Sequence, residues 1–401
     1  MQSRRYTQED KTFENRYKDR KRIRRCAMKI VLAFDSFKGS LPADVACRQA
    51  ALALAEALPA ATLVEKPMAD GGEGTAAALL GACGGDWIAL PATGPLPDLS
   101  VDAGYARLPG GETAVVEMAV ASGITLLRTD QLNPLAATTL GTGELLRAAA
   151  GAGSRIILLA AGGSATVDGG IGAAHALGWR FLNATGHELP PIGASLVHIA
   201  DLRAPEKSLL SATEVRVLSD VTNPLCGERG AARVFGPQKG ATPAQVERLD
   251  AGLANLAAVV HRQLGIDLLA LPGGGAAGGL AAGAVAFMGA SIKPGIDTIM
   301  ETTGLADALD GADWVLTGEG KFDGQSLHGK VVSGVTRLAR ARGVRVAVLA
   351  GRVELAPAEF EPAGIAFADA ITPAGMPLDE AARQAPHLLR QAATRFAEEW
   401  V

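Results

Sequence analysis

Between Lys29 and Asp35 the chain runs through consecutive apolar positions (KIVLAF) and stops at an acidic residue. A Ser/Gly turn then leads into an Ala/Leu-rich stretch, Asp44–Leu58. An apolar run, a polar loop and a periodic apolar segment in that order predict strand, loop and helix. The unit recurs. Thr62–Met68 leads through ADGGEGT (Ala69–Thr75) to a helix over Ala76–Cys83, and Arg155–Ala161 leads through GGSATVDGG (Gly162–Gly170) to a helix over Ile171–Gly178. Such alternation predicts an α/β protein. Asp313–Thr317, Val344–Ala350 and Phe367–Thr372 are further apolar runs that read as central parallel strands, covered on both faces. Residues 87–289 are less regular, with Thr113–Met118 and Val215–Leu218 as strand candidates and breaks such as PATGPLPD. That contrast predicts a second domain over 87–289, inserted into one built from 28–86 and 290–401.

Composition narrows the class. The 401 residues give room for two or three domains with sizeable cores. Apolar residues at 48% exclude a disordered chain, and 49 glycines without a three-residue period mark a protein rich in tight loops, not a collagen. Four cysteines (Cys26, Cys47, Cys83, Cys226) form no C-x-x-C pair, which argues against a zinc ribbon and for a reduced, cytoplasmic protein. Residues 1–27 carry ten Lys+Arg against four Asp+Glu, a net of +6, while the remaining 374 carry 28 against 38, a net of −10. The acidic body argues against a nucleic-acid surface. The basic stretch Arg16–Arg25 reads as a disordered extension or an interaction arm, with Met28 as the expected start of the folded protein. Leu268–Ile292 lacks charge but contains seven glycines and Pro272, so it reads as a loop and helix, with no membrane span.

The chemically informative residues fall after predicted strands, where open α/β sheets bind ligands. Asp35, Ser36 and Lys38 follow the first; Asp70, Gly71, Gly72, Glu73 and Gly74 follow the second; Glu319, Gly320, Lys321 and Asp323 follow Asp313–Thr317. Three acidic loops at one sheet edge call for a cation or a titrating acid, unless each Asp only caps its helix. In GGSATVDGG, Gly162 and Gly163 would let backbone N–H groups approach an oxyanion beside the Ser164 and Thr166 hydroxyls. The alternative is a tight strand-to-helix turn. Gly273–Gly279 (GGGAAGG) has the same openness without hydroxyls. Asp220 and Asn223, with Lys239 downstream in FGPQKGA, read equally as an acid/base, an amide and a phosphate-facing cation or as an Asx-type turn.

Several familiar chemistries are excluded. Gly324–Lys330 (GQSLHGK) fits G-x-x-x-x-G-K, yet Val331 stands where a Mg²⁺-binding Ser or Thr is needed. No G-x-G-x-x-G follows a predicted strand, and there is neither a G-x-S-x-G elbow nor an H-E-x-x-H. Of six scattered histidines only His328 lies beside a chemistry-bearing loop.

Taken together, DSFKGSL (35–41), ADGGEGT (69–75), EMAVASGI (117–124), GTGELL (141–146), GGSATVDGG (162–170), DVTNPLCG (220–227), FGPQKGA (235–241) and GEGKFDGQSLHGK (318–330) resemble the glycerate kinase type I family in order and spacing. Departures are Phe34 for the usual Pro, Val167 for the usual Asn and Pro97 for the usual Gly. The resemblance implies ATP- and Mg²⁺-dependent phosphorylation of D-glycerate, to 2-phosphoglycerate or, less favoured, 3-phosphoglycerate. It also implies a flavodoxin-like domain carrying an inserted α/β domain, with the site in the cleft between them. On that reading Asp70, Glu73, Glu319 and Asp323 include the Mg²⁺ ligands, and Lys38, Lys239 and Lys330 offset phosphate charge or grip the carboxylate. The proton acceptor is expected to be Asp220, with Asp35 and Asp168 next, and Lys38 is counted with them as catalytic. Ser36, Gly71, Gly72, Gly162, Gly163, Ser164, Thr166 and Asn223 complete the expected binding set. A kinase of another small hydroxy acid and a non-catalytic organic-acid sensor are the rival readings, and the oligomeric state is open.

Overall fold

A computed structural model describes residues 28–401; the basic stretch and the expected extension over 1–27 lie outside them. Eleven strands of the described residues build two sheets: β1 (Lys29–Phe34), β2 (Thr62–Glu65), β3 (Asp86–Thr93), β4 (Ser100–Arg107), β5 (Thr113–Glu117), β6 (Ile156–Ala160), β7 (Glu214–Leu218), β8 (Ser291–Lys293), β9 (Trp314–Gly318), β10 (Arg345–Ala350) and β11 (Ile365–Ala370). The chain divides into two compact units. One comprises the described residues up to Met68 with Thr303–Val401, the other Ala69–Thr302. The divisions fall at 68/69 and 302/303, where the sequence reading put them at 86/87 and 289/290. Residues 69–86 and 290–302 therefore belong to the second unit.

The first unit is a five-stranded, wholly parallel sheet in the order β2-β1-β9-β10-β11. That is the 2-1-3-4-5 order of flavodoxin-like sheets, whose topological switch point lies between the first and third strands, here β1 and β9. The central strands β1, β9 and β10 are almost entirely buried, which is why their sequences run apolar without alternation. One sheet face packs on the helix Ala43–Ala57, whose buried residues (Ala46, Cys47, Ala50, Ala53, Leu54) recur at helical spacing. The helix Leu378–Trp400 joins it with Leu388, Leu389 and Phe396.

The second unit holds a six-stranded sheet in the order β8-β7-β6-β5-β4-β3. β5, β6, β7 and β8 are parallel, and β3 and β4 form an antiparallel hairpin that closes one edge. The regular unit predicted after Arg155 is present, with β6 followed by a loop and the helix Ile171–Ala176. Around the sheet pack the helices Leu140–Gly151, Pro243–Leu264 and Leu280–Met288. The last, nine residues long, is the α-helix that the uncharged stretch 268–292 yields, after a short 3-10 turn over Ala276–Gly279. No helix among the described residues is long and apolar enough to cross a membrane.

Candidate active site

In the second unit the loops that leave the C-terminal ends of β5, β6, β7 and β8 are packed backbone against backbone, together with the loop 69–75. A Cβ at Gly162 would lie 2.5 Å from Gly72 Cα, and one at Gly71 would lie 2.9 Å from Leu218 Cβ and 3.2 Å from Gly295 Cα. These glycines are needed for close approach, and Gly71, at φ +85°, also for its left-handed backbone. Gly163 is exposed and left-handed at φ +77°. Replacing Gly162 by Ala forces two backbones apart, and is expected to destabilise the protein by about 1–3 kcal/mol, read as a lower midpoint of urea unfolding.

Asp220 sits directly after β7 in this cluster. Its Oδ1 accepts from Gly295 N at 2.9 Å, while Oδ2 is buried and has no hydrogen-bond partner. Loss of solvent, reinforced by the negative charges of Asp70 and Asp297, pushes its carboxyl up to about 6, although the Gly295 N–H pulls the other way. Asp70 is half-buried and accepts from Gly72 N at 3.1 Å through Oδ1. Glu73 is exposed. The conformation of this loop depends on a residue the sequence reading did not single out. Glu117, at the end of β5, is buried and accepts from Gly74 N at 3.3 Å and from Ala76 N, which caps the helix Thr75–Cys83. Burial raises its pKa above the usual carboxylate range. The only sequence signal was an acid ending an otherwise apolar strand, TAVVE.

GGSATVDGG follows β6. Asp168 within it is wholly buried, and four donors meet its carboxylate: Thr139 N at 2.7 Å, Thr139 Oγ1 at 2.8 Å and Gly172 N at 3.2 Å on Oδ2, and Gly170 N at 3.0 Å on Oδ1. Burial raises its pKa and these hydrogen bonds oppose the rise. Asp168 therefore anchors the 138–140 segment to the start of the helix Ile171–Ala176. Thr166 is buried, its Oγ1 without a hydrogen-bond partner, and Ser164 lies at the edge of solvent at 9% exposure. Lys239 is 2% exposed, and its Nζ donates to Ser164 Oγ at 2.6 Å and Thr166 O at 2.7 Å. Asn223 lies in the loop after β7, and its Nδ2 donates to Arg229 O at 2.8 Å. In 273–279, Gly278 lies against Thr166 O, and Ala277 is the one non-glycine residue described with a left-handed backbone, at φ +54°.

In the first unit, Asp35, Ser36, Lys38, Glu319, Asp323 and Lys330 lie on the loops that leave β1 and β9, the two strands flanking the switch point. Asp35 is buried; its N–H donates to Gly318 O at 2.9 Å and its Oδ1 accepts from Ser36 N at 2.7 Å. Glu319 is buried, and its carbonyl accepts from Gly351 N at 2.9 Å. Lys38 is exposed and Lys330 half-buried, the latter directly preceding the helix Val331–Arg340. Asp323 is engaged otherwise than as expected. Its Oδ1 accepts from Gln325 N at 2.9 Å, capping a short turn over 324–327, and its Oδ2 lies 3.2 Å from Lys321 Nζ. The lysine holds its carboxyl below the ordinary range. The G-x-x-x-x-G-K run is thus a capped turn, and His328 is exposed within it.

Among the described residues no group of three or more His, Cys, Asp or Glu side chains is arranged to hold a metal ion. Mg²⁺ in phosphoryl transfer keeps several waters and needs only one or two carboxylates beside the phosphates. The negative charge that Asp70 and Asp297 impose on Asp220 fits that more modest demand.

Acidic and hydroxyl-bearing loops at the carboxyl ends of parallel strands suit the positioning of a phosphorylated ligand, and comparison with known proteins identifies which kind. The family model described as glycerate kinase family matches residues 30–401. The chain belongs to the glycerate kinase family. It is an enzyme. A glycerate kinase of Halalkalibacterium halodurans is 40% identical over 92% of this chain and 97% of its own length. The glycerate 2-kinase of Escherichia coli K12 is 41% identical over 81% of this chain and 85% of its own. A crystal structure from Salmonella typhimurium LT2, named provisionally as a glycerate kinase 2, matches with a TM-score of 0.83 at 40% identity, covering 93% of this chain and 98% of that one. The α/β architecture is shared with it.

Proposed function

We propose that this glycerate kinase transfers the γ-phosphoryl group of ATP to the 2-hydroxyl of D-glycerate, giving 2-phosphoglycerate and ADP. The observation that carries the reading is Asp220: a carboxylate at the end of a parallel strand, with one oxygen held by a backbone N–H and the other buried and unpartnered. A general base requires that combination of fixed orientation and a vacant oxygen, with a pKa near the working pH. Oδ2 accepts the hydroxyl proton as the substrate oxygen bonds to the γ-phosphorus and the bond to ADP breaks. Family membership supplies the reaction class, and the name of the E. coli relative favours the 2-position.

Asp70 is the carboxylate we assign to Mg²⁺, which supplies neutralisation of the phosphate charge. Lys38 and Lys330 are assigned to phosphate oxygens, and Ser36 and the Asp35 loop to positioning them. Ser164 is assigned to an anionic oxygen of the substrates. Asp168, Lys239 and Asn223 are withdrawn from direct contact with substrate because their polar groups are taken up by the protein.

The test is turnover of D-glycerate by the full chain with ATP and Mg²⁺, with the product identified by phosphorus NMR. A 2-phosphoglycerate signal is expected. A 3-phosphoglycerate signal overturns the position, and turnover only with another hydroxy acid overturns the substrate. Chelating divalent cations with EDTA is expected to abolish turnover and added Mg²⁺ to restore it, followed in the same assay.

A further inference from the structure

Ser164 is held from two sides. On one, its backbone is fixed against the segment 122–124: Ser164 forms a β-bridge with Gly123, Ala165 N donates to Ser122 O at 2.9 Å, and Ile124 N donates to Gly163 O at 2.8 Å. On the other, Lys239 reaches in to Ser164 Oγ and Thr166 O. With the backbone pinned, the remaining freedom of Ser164 is the direction of its hydroxyl proton.

A hydroxyl has one proton and two acceptor lone pairs, whereas an ammonium can only donate. While Lys239 is charged, Ser164 Oγ must accept from it, and the hydroxyl proton has to be directed elsewhere. Once Nζ is a neutral amine its lone pair can accept, and the Ser164 proton can turn inward along the same 2.6 Å contact. We propose that Lys239 is a positioning residue that sets the direction of the Ser164 hydroxyl: the charged lysine presents Ser164 O–H as a donor to an anionic substrate oxygen, and the neutral lysine withdraws it. This rests on the reading of Ser164 given above.

The surroundings put the switch in a useful range. Asp168 is the charged group whose field reaches Lys239, and burial outweighs its attraction, lowering the Lys239 pKa to about 7. Arg233, on the neighbouring turn 231–235, is engaged instead with Glu247 at 2.7 Å and Asp250 at 3.4 Å on the helix Pro243–Leu264. A glycerate carboxylate is ionised throughout the range above pH 5, so the charge of glycerate does not change there; a terminal phosphate titrates at about 6, a change that acts equally on the wild type and S164A.

The experiment measures kcat and the KM for glycerate and for ATP, between pH 6 and 9, in the wild type, S164A, K239M and the double variant. As pH rises through about 7, wild-type KM is expected to rise about tenfold, the loss of one hydrogen bond to a charged group, with kcat following much less. The rise appears in the KM for glycerate if Ser164 meets the carboxylate, and in that for ATP if it meets a phosphate. S164A should have a raised KM without this pH dependence, K239M, which neither donates to Ser164 Oγ nor accepts from it, should lose the pH dependence too, and the double variant should be no worse than S164A. A pH dependence of both KM values that is the same in S164A as in the wild type, or effects that multiply in the double variant, overturns the proposal. If K239M fails to fold, wild type against S164A still decides. Should the wild type not turn over glycerate at all, the functional reading fails instead. Binding of inorganic phosphate across the same pH range, wild type against S164A, then tests the switch by itself.

Discussion

Asp220→Asn is expected to lower kcat by about 10²- to 10⁴-fold, the usual contribution of a positioned general base, while the protein folds normally. Asn retains an acceptor oxygen for the Gly295 N–H, so the local geometry survives the exchange. The pH profile identifies the group. Asp220 must be ionised to accept a proton, and its pKa lies at about 6, so kcat/KM in the wild type should fall about tenfold per unit below that pH and level off above it. Asp220→Asn should lose that limb. Stability runs in the opposite sense. A carboxyl whose folded pKa is raised binds more protons in the folded state between about 4 and 6, so its contribution to stability declines as pH rises through that window. The Tm of Asp220→Asn at pH 8 should therefore be no lower than that of the wild type. Unchanged kcat in a folded Asp220→Asn protein would remove Asp220 from the mechanism.

Asp168→Ala is expected to do the reverse: a large loss of stability, with kcat of the protein that remains folded within a few-fold of normal. Removing the carboxylate leaves the N–H groups of Thr139, Gly170 and Gly172 and the Thr139 hydroxyl without their acceptor, in a place water does not reach. Orphaned buried donors cost about 1–3 kcal/mol each in isolation and do not add fully, so a loss of about 3–5 kcal/mol is expected. Urea unfolding monitored by circular dichroism measures it. Asp168→Asn should recover only part, because its amide NH₂ faces N–H donors in either orientation. A stable Asp168→Ala protein without activity would return Asp168 to the chemistry.

The two aspartates show where a sequence is readable and where it is not. Both follow predicted strands in loops of small residues, and nothing local separates them. What separates them is distant in the chain: Thr139 brings two donors to Asp168 from 29 residues away, while Asp220 is met by the backbone at Gly295, 75 residues away, and at Ile296 beside it, with one oxygen left unpartnered. Lys239 hides for a similar reason. Set between Pro237 and Gly240 it looks like a turn lysine, and only the return of the 162–170 loop buries it. The parallel strands were legible because each carries its own signal, a short apolar run that a two-sided core requires. The β3–β4 hairpin was not, since its edge strand DWIALPAT is largely exposed and interrupted by Pro91. The boundary at 68/69 escaped because Glu117, which anchors the helix after it, lies 41 residues from the nearer of its two partners, Ala76.

The way the chain enters and leaves the first unit has a consequence during synthesis. β1 lies between β2 and β9, and its pairing with β9 joins Phe34 to Gly318. The second unit is one continuous stretch, Ala69–Thr302, complete before β9 has been made. At about 5–20 residues per second on the ribosome, the apolar strand KIVLAF waits roughly a quarter of a minute to a minute for its neighbour. Through that interval one edge of a nascent sheet is open to other chains, and the yield of soluble protein should depend on translation speed and on chaperones that shield that edge.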